Sequence, residues 1–373
     1  MKKLIKIALT GLLGLFFFST FCDAKEPVYI GLSAPMTGYH AEIGKDFKNG
    51  IELALGQINK AGGIDGHPIA LIIGDSQEQP EISKRIAEKF IRDHRIIAEI
   101  GDFTSPCSLM AQSVYRKARM VQLSPTVSHP LFATRSPYSF SICGTQEKEA
   151  PFIAQTAVKR LGKKRLAVLY VNDEWGIAVK KQFTEAAKYL GAEIVSAEPY
   201  FKNTTDFAPI LEKFRAAKPD FLCLGTLAND AAMICKQRQK IGWNDVTLMG
   251  SIAIFTPELI RLGGNATEGV FTFAFFYPKD TRPAVQQFVR SYESEYHQPP
   301  SWFAAVAYDA LNLLAESVRK AGSDRHNIRD ALAGISNFSG VTGNITFNEY
   351  GDVIREYFLL QVKNGEFVLY PQK

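Results

Sequence analysis

The sequence predicts an α/β protein made of two similar halves and a C-terminal third that packs on them. Three observations predict it. Strand-length apolar runs alternate with amphipathic helical segments from Val28 onward. The strands are almost continuously apolar, which marks parallel sheets covered on both faces. The same rhythm then restarts after Gly144.

Val28–Leu32 is the first strand. Phe47, Ile51, Leu55 and Ile58 repeat at helical spacing after it, and Ala61–Gly66 is a glycine-rich turn. Ile69–Ile73 is a second strand, Ile82–Phe90 an amphipathic helix and Ile96–Ile100 a third strand. Ser105-Pro106 reads as a helix start, with Ser as N-cap and Pro at the first helical position. Val121–Leu123 is the fourth strand. Past Gly144, helices are predicted at 150–160, 177–190, 207–216 and 231–240, and strands at 166–170, 193–198, 221–224, 247–250 and 269–277. Three helices follow at 283–296, 300–320 and 328–333, then strand-like pieces at 343–347, 356–362 and 366–370.

A composition of 46% hydrophobic and 22% charged residues excludes a disordered chain. The net charge of +5 falls to about +3 once the basic leader is removed, and no long block of like charge remains, so nucleic acid is not a predicted partner. The leader itself is basic over Met1–Lys6, apolar from Ile7 to Phe21, and ends in the small-residue frame Cys22-Asp23-Ala24. That is a secretory signal peptide over 1–24, cut after Ala24. Phe21 stands where a lipid-attachment signal takes Gly, Ala or Ser, so lipidation at Cys22 is not expected. The mature chain is therefore placed in the periplasm. Its four cysteines form no CxxC pair; a Cys107–Cys143 disulfide is left open, and Cys223 and Cys235 read as buried small side chains.

Catalytic signatures are absent: no GxSxG, P-loop, HExxH or GxGxxG occurs. The six histidines read as surface residues, and the acids as solvated turn or helix-face positions. No enzyme, metal or cofactor is predicted. Two loops carry more weight, Gly101–Pro106 and Ser124–Pro130. Both follow parallel strands, at the end where open α/β sheets take ligands. The hydroxyls of Ser105, Thr126 and Ser128, with nearby backbone N–H groups, suit a carboxylate.

Several stretches together resemble the substrate-binding proteins of branched-chain amino acid ABC transporters. They are Ile30–Gly38, Gly50–Ala54, Ile58–Gly66, Gly101–Ser105, Ser124-Pro125, Trp175-Gly176, Thr205–Phe207, Pro219-Asp220, Glu268–Val270, Ala307–Ala310 and Gly343–Phe347, in family order over the mature chain. The resemblance implies the type I periplasmic-binding fold: two Rossmann-like lobes, three crossovers near Gly144, Tyr277 and Gly351, and a ligand clamped between the lobes. Lobe one would be 25–143 plus 278–350 and lobe two 144–277 plus 351–373. The partner implied is an inner-membrane ABC permease, and the chain is expected to be a monomer. A sensory module for a separate receptor is the competing use of the same fold.

By the resemblance, Ser105 and Ser128 match the serine and threonine that hold the ligand's carboxylate and ammonium. Thr126 matches a residue offering its backbone carbonyl. The acid that pairs with an ammonium falls at Ile252, and tyrosines of the family fall at Trp175, Leu227 and Ile43. The family's Phe-Arg-Thr reads Phe140-Ser141-Ile142. The resemblance thus implies a cleft more apolar and less anionic than an α-amino acid site. It favours a small carboxylic acid with a branched or aromatic body, an amino acid being the alternative. Asp102 and Glu174 are the acids near enough in sequence to act as a displaced partner.

Overall fold

The structure is a computed structural model that describes residues 25–371. The leader and its cut after Ala24 lie outside the described residues. The first run of elements is β1 (Val28–Ala34), α1 (Ala41–Lys60), β2 (Ile69–Asp75), α2 (Pro80–Arg92), β3 (Ile96–Gly101), α3 (Ser105–Lys117), β4 (Val121–Ser124), α4 (Leu131–Thr134) and β5 (Ser139–Ser141). Its five strands form one sheet in the order β2-β1-β3-β4-β5, every pairing parallel. All of β3 and β4 is buried, as near-continuous apolar runs require.

The second run is α5 (Gln146–Gln155), β6 (Arg165–Val171), α6 (Glu174–Tyr189), β7 (Glu193–Tyr200), α7 (Ala208–Ala217), β8 (Phe221–Gly225), α8 (Ala228–Lys240), β9 (Thr247–Gly250), α9 (Pro257–Gly263) and β10 (Phe271–Ala274). Then come α10 (Pro283–Tyr296), α11 (Trp302–Ala321), α12 (Arg325–Ala333), the small hairpin β11 (Phe338–Gly340) and β12 (Gly343–Ile345), and finally β13 (Phe358–Lys363) and β14 (Glu366–Leu369). The second sheet has seven strands in the order β14-β13-β10-β9-β8-β6-β7. Pairings from β7 to β10 are parallel, but β13 lies antiparallel on β10 and β14 antiparallel on β13.

Helices α10–α12 return to the first sheet. The phenol of Tyr292 accepts from Asn49 Nδ2 at 3.2 Å, and the guanidinium of Arg325 donates to the carbonyls of Asp93 and Ile96. Helices α1 and α11 touch backbone to backbone at Gly50: a Cβ there would sit 2.1 Å from the Ala304 carbonyl oxygen.

Three expectations are corrected, and the question of a Cys107–Cys143 disulfide, left open by the sequence, is answered. The predicted strand over 269–277 ends at Ala274, because Phe275 and Phe276 leave the sheet to pack on Trp302 and Phe288. Helix α3 starts with Thr104 in the cap position, so Ser105 is its first residue and not its N-cap. Cys107 and Cys143 are buried free thiols, not a disulfide. His40 is not a surface residue; it is 8% exposed.

The chain passes between the two sheets after β5, after β10 and again before β13. Arg355 joins these passages. Its Nε donates to the Ile142 carbonyl at 2.8 Å, its Nη1 to the Thr342 carbonyl at 3.1 Å, and its guanidinium lies 4.5 Å from the centre of the Phe275 ring.

Candidate functional site

The two loops singled out in the sequence lie at the carboxyl ends of β3 and β4 and form one wall of a cleft between the sheets. Phe103, Thr104, Ser105, Thr126 and Ser128 line it there. The opposite wall comes from the second sheet: Trp175 at the start of α6, Tyr200 at the end of β7 and Lys202 after it, Leu227 and Asp230 at the start of α8, and Ile252 after β9. Trp302 and Phe303, in the first turn of α11, close it with Cys143 and Glu149. The pocket holds about 710 Å³ of empty space, its open mouth included.

Six of the seven residues picked from the sequence meet here: Ser105, Thr126, Ser128, Trp175, Leu227 and Ile252. The seventh, Ile43, lines an adjoining compartment instead. Ser105 is buried, and its side chain makes no hydrogen bond among the described residues, so its hydroxyl is unspent. Thr126 is committed, its hydroxyl donating to the Phe103 carbonyl at 2.7 Å. Ser128 is the most engaged: its oxygen accepts from Gln146 Nε2 at 2.8 Å and from Trp175 Nε1 at 3.2 Å. That last bond crosses the cleft.

Local structure explains why Trp175 reaches it. Asp173 caps α6, its carboxylate accepting from the Gly176 N–H at 2.9 Å. Gly176 lets the turn close, since a Cβ there would lie 1.9 Å from the Val171 carbonyl oxygen. The indole is thereby fixed at the strand-to-helix turn. A second bridge crosses the cleft nearby. Glu78, beyond β2, takes Lys202 Nζ at 2.8 Å on one oxygen and His40 Nδ1 at 2.5 Å on the other.

The expectation of a less anionic cleft is corrected. Glu78, Glu149, Asp173 and Asp230 all line it, against Lys202 and His40. Their positions read as solvated turns and helix starts, yet in the fold each is buried or half-buried. Each already has a protein donor. Glu149 takes Gln146 Nε2 at 2.5 Å and the Cys143 thiol at 3.6 Å; Asp230 takes the Tyr200 hydroxyl at 2.6 Å. Burial pushes the Glu149 carboxyl up to about 7 and Asp173 up to about 6, and raises Asp230 as well. Glu78 is held below its ordinary value, burial being outweighed by its bonds to His40 and Lys202. Asp102 and Glu174 are not the displaced acids. Asp102 lies outside the pocket lining, saturated by the hydroxyls of Ser33, Ser76 and Ser83, and Glu174 is exposed.

The Glu149 shift has a measurable consequence. Its ordinary value is 4.5 and its folded value about 7. Between these the unfolded chain releases the proton and the folded chain keeps it, so stability falls as pH rises through that window. Glu149→Gln is expected to stabilise the protein by about 2–3 kcal/mol near pH 8 and to change nothing near pH 4. Thermal melts of both proteins across the window measure it; an equal shift at both ends would refute it.

Two α/β bodies, with a cleft at the carboxyl ends of their strands and three chain passages between them, define a bilobal solute-binding protein. Comparison with known proteins places the chain within that class. Residues 27–366 match the periplasmic binding protein family model. The leucine-, isoleucine-, valine-, threonine- and alanine-binding protein of Pseudomonas aeruginosa is 24% identical over 356 residues, covering 95% of this chain and 92% of that protein. A leucine-binding protein from Thermotoga maritima superposes with a TM-score of 0.86 at 25% identity, over 92% of this chain and 98% of that one. A solute-binding protein of an ABC transporter from Rhodopseudomonas palustris, crystallised with 3,4-dihydroxybenzoic acid, superposes at 0.84 and 25% identity, over 92% and 96%. The chain belongs to the periplasmic binding protein family, as a substrate-binding protein of the branched-chain amino acid ABC transporter type, and has the type I fold.

The sequence reading missed His40, Glu78, Glu149, Asp230, Trp302 and Phe303. For Trp302 a signal existed: Ser301-Trp302-Phe303 opens the helix that carries the family-like Ala307–Ala310.

Proposed function

We propose that this chain captures a small carboxylate-bearing ligand with an apolar, aromatic or branched body, and delivers it to an inner-membrane ABC permease. Ser105 is the observation that carries this reading. It is a buried serine with an unspent hydroxyl, in the first turn of a helix, facing a pocket whose other surfaces include Trp175, Leu227, Ile252 and Phe303. A carboxylate there gains the hydroxyl, free backbone N–H groups and the helix dipole. The nearby acids do not oppose it strongly. Each has a protein donor, and Glu149, raised to about 7, is only partly charged near neutral pH. They suit hydroxyl groups on a ligand, as in the dihydroxybenzoate of the R. palustris protein.

The lobes are residues 25–143 with 278–350, and 144–277 with 351–373, of which the last two residues lie outside the described ones. The mature chain works as a periplasmic monomer that closes about the three passages. The Glu78–Lys202 and Trp175–Ser128 bridges, which join the two walls, support a closed form. Calorimetric titration of leucine, valine and phenylalanine beside their deaminated acids tests the ligand class. The acids should bind in the micromolar range. Micromolar binding of an amino acid, with its deaminated partner at least about tenfold weaker, would sink the reading.

A further inference from the structure

By sequence Ser128 matches a hydroxyl that holds the ligand. The structure gives its polar atoms other partners. Its carbonyl accepts the Gln146 backbone N–H at 2.7 Å. Its side-chain oxygen accepts from Gln146 Nε2 at 2.8 Å and from Trp175 Nε1 at 3.2 Å. A serine hydroxyl has two acceptor positions and one hydrogen, so both acceptor positions are filled. Glu149 orients the Gln146 amide: its Nε2 also lies 2.5 Å from Glu149 Oε2, where an amide oxygen would face a carboxylate. The same carboxylate is at hand for the Ser128 hydrogen. Burial raises Glu149, and hydrogen bonds from Cys143, Gln146 and Ser128 draw it part of the way back.

These partners divide into a seat and an arm. Gln146 and Glu149 stand in the first turn of α5, three residues apart and therefore on one side of it. Helix α5 begins soon after the first chain passage. Backbone and side chain both tie Ser128 to that turn. Ser128, Gln146 and Glu149 are all buried, so a polar group that loses its partner there is left unmet. The arm is Trp175, on the opposite wall at the start of α6. It reaches Ser128 through its single N–H, in a bond longer than either one between Ser128 and Gln146. Ser105, on the same wall as Ser128, is the contrast. It is buried too, but its hydroxyl is unspent. Of the two serines, one is left for a ligand and the other is taken by the protein.

We propose that Ser128 is a positioning residue: seated on Gln146 and Glu149, it holds the Trp175 indole at the ligand's apolar body and does not itself bind the ligand. The proposal rests on the reading that Trp175 contacts an apolar ligand body, and it departs from the role that the resemblance implies for Ser128. A hydroxyl matched to ligand recognition becomes part of the joint between the two walls. Whatever Ser128 contributes to affinity then passes through the indole N–H. Once that N–H is gone, the hydroxyl has little left to contribute.

A double-mutant cycle tests this on the full mature chain, read by calorimetry with 3-phenylpropanoate or phenylalanine, whichever binds the parent more tightly. Ser128→Ala should weaken binding about three- to tenfold, the worth of one hydrogen bond. In a Trp175→Phe background, which keeps a ring and lacks the N–H, the same change should cost less than about twofold. An equal cost in both backgrounds would overturn the proposal, because Ser128 would then act on the ligand directly. No cost in the parent would overturn it as well. A parent that prefers phenylalanine rejects the carboxylate reading and leaves the cycle intact, so the two failures are told apart. If neither probe binds, NMR follows exchange of the Trp175 indole N–H with solvent in the unliganded chain, its signal being the one missing from Trp175→Phe. Exchange should be at least about fivefold faster in Ser128→Ala, and an unchanged rate would overturn the proposal. Thermal melts check folding of each variant. Ser128→Cys, a weaker hydrogen-bond partner, replaces Ser128→Ala if that chain does not fold.

Discussion

Replacing Arg355 by methionine is expected to lower the free energy of unfolding by about 3–5 kcal/mol. The guanidinium is buried and touches all three passages described above: the Ile142 carbonyl in the first, the Phe275 ring in the second, and its own segment in the third. It also holds the Thr342 carbonyl at 3.1 Å. The next residues out are tied by Asp309, whose carboxylate accepts from the Val341 N–H at 3.0 Å, the Thr342 N–H at 2.9 Å and the Thr342 hydroxyl at 2.6 Å. Methionine keeps most of the apolar volume against Phe275. It leaves two carbonyls without donors and Asp309 without its nearby positive charge, so the loss would be polar in origin. Arg355→Lys keeps the charge but not the planar fork, and should fall between the two. Urea denaturation measures both variants. A methionine variant within about 1 kcal/mol of the parent would show that the junction does not depend on this network.

Much of this fold was legible because its signals are local. Near-continuous apolar strands, amphipathic helices and the restart after Gly144 depend on residues close in sequence, and the two α/β bodies follow from them. The antiparallel addition of β13 and β14 was not legible as such. Strand-like pieces were visible in the tail, but nothing local states the direction in which a strand joins a sheet. The site divides the same way. The loops after β3 and β4 were found because the carboxyl end of a parallel strand is a positional rule. Its acids were misread because their burial is set by tertiary packing. Glu78 looks like a solvated turn residue until Lys202, 124 positions away, is laid against it. Arg355 carries no mark in the sequence either: the three passages it joins converge only in three dimensions.

Trp175→Ala should weaken ligand binding about 10- to 100-fold, or about 1.4–2.7 kcal/mol. Two losses combine in that figure. The indole presents aromatic surface to the pocket opposite Phe103 and Phe303, and truncation removes that contact from the ligand's apolar body. Its Nε1–H also donates across the cleft to Ser128 at 3.2 Å, so truncation removes one of the bonds that join the two walls. Trp175→Phe separates these effects: the ring surface remains and the N–H goes, so its loss should stay below about tenfold. Ser105→Ala acts at the other end of the ligand and should cost about 1–3 kcal/mol, because the carboxylate it serves is then buried with one donor fewer. Small-angle scattering on the same proteins ties affinity to closure. The parent should compact when saturated with a bound acid. Trp175→Ala, lacking the bridge, should stay more extended at equal occupancy. Binding by Trp175→Ala within twofold of the parent, together with an unchanged radius, would show that the indole is a packing residue and that neither recognition nor closure passes through it.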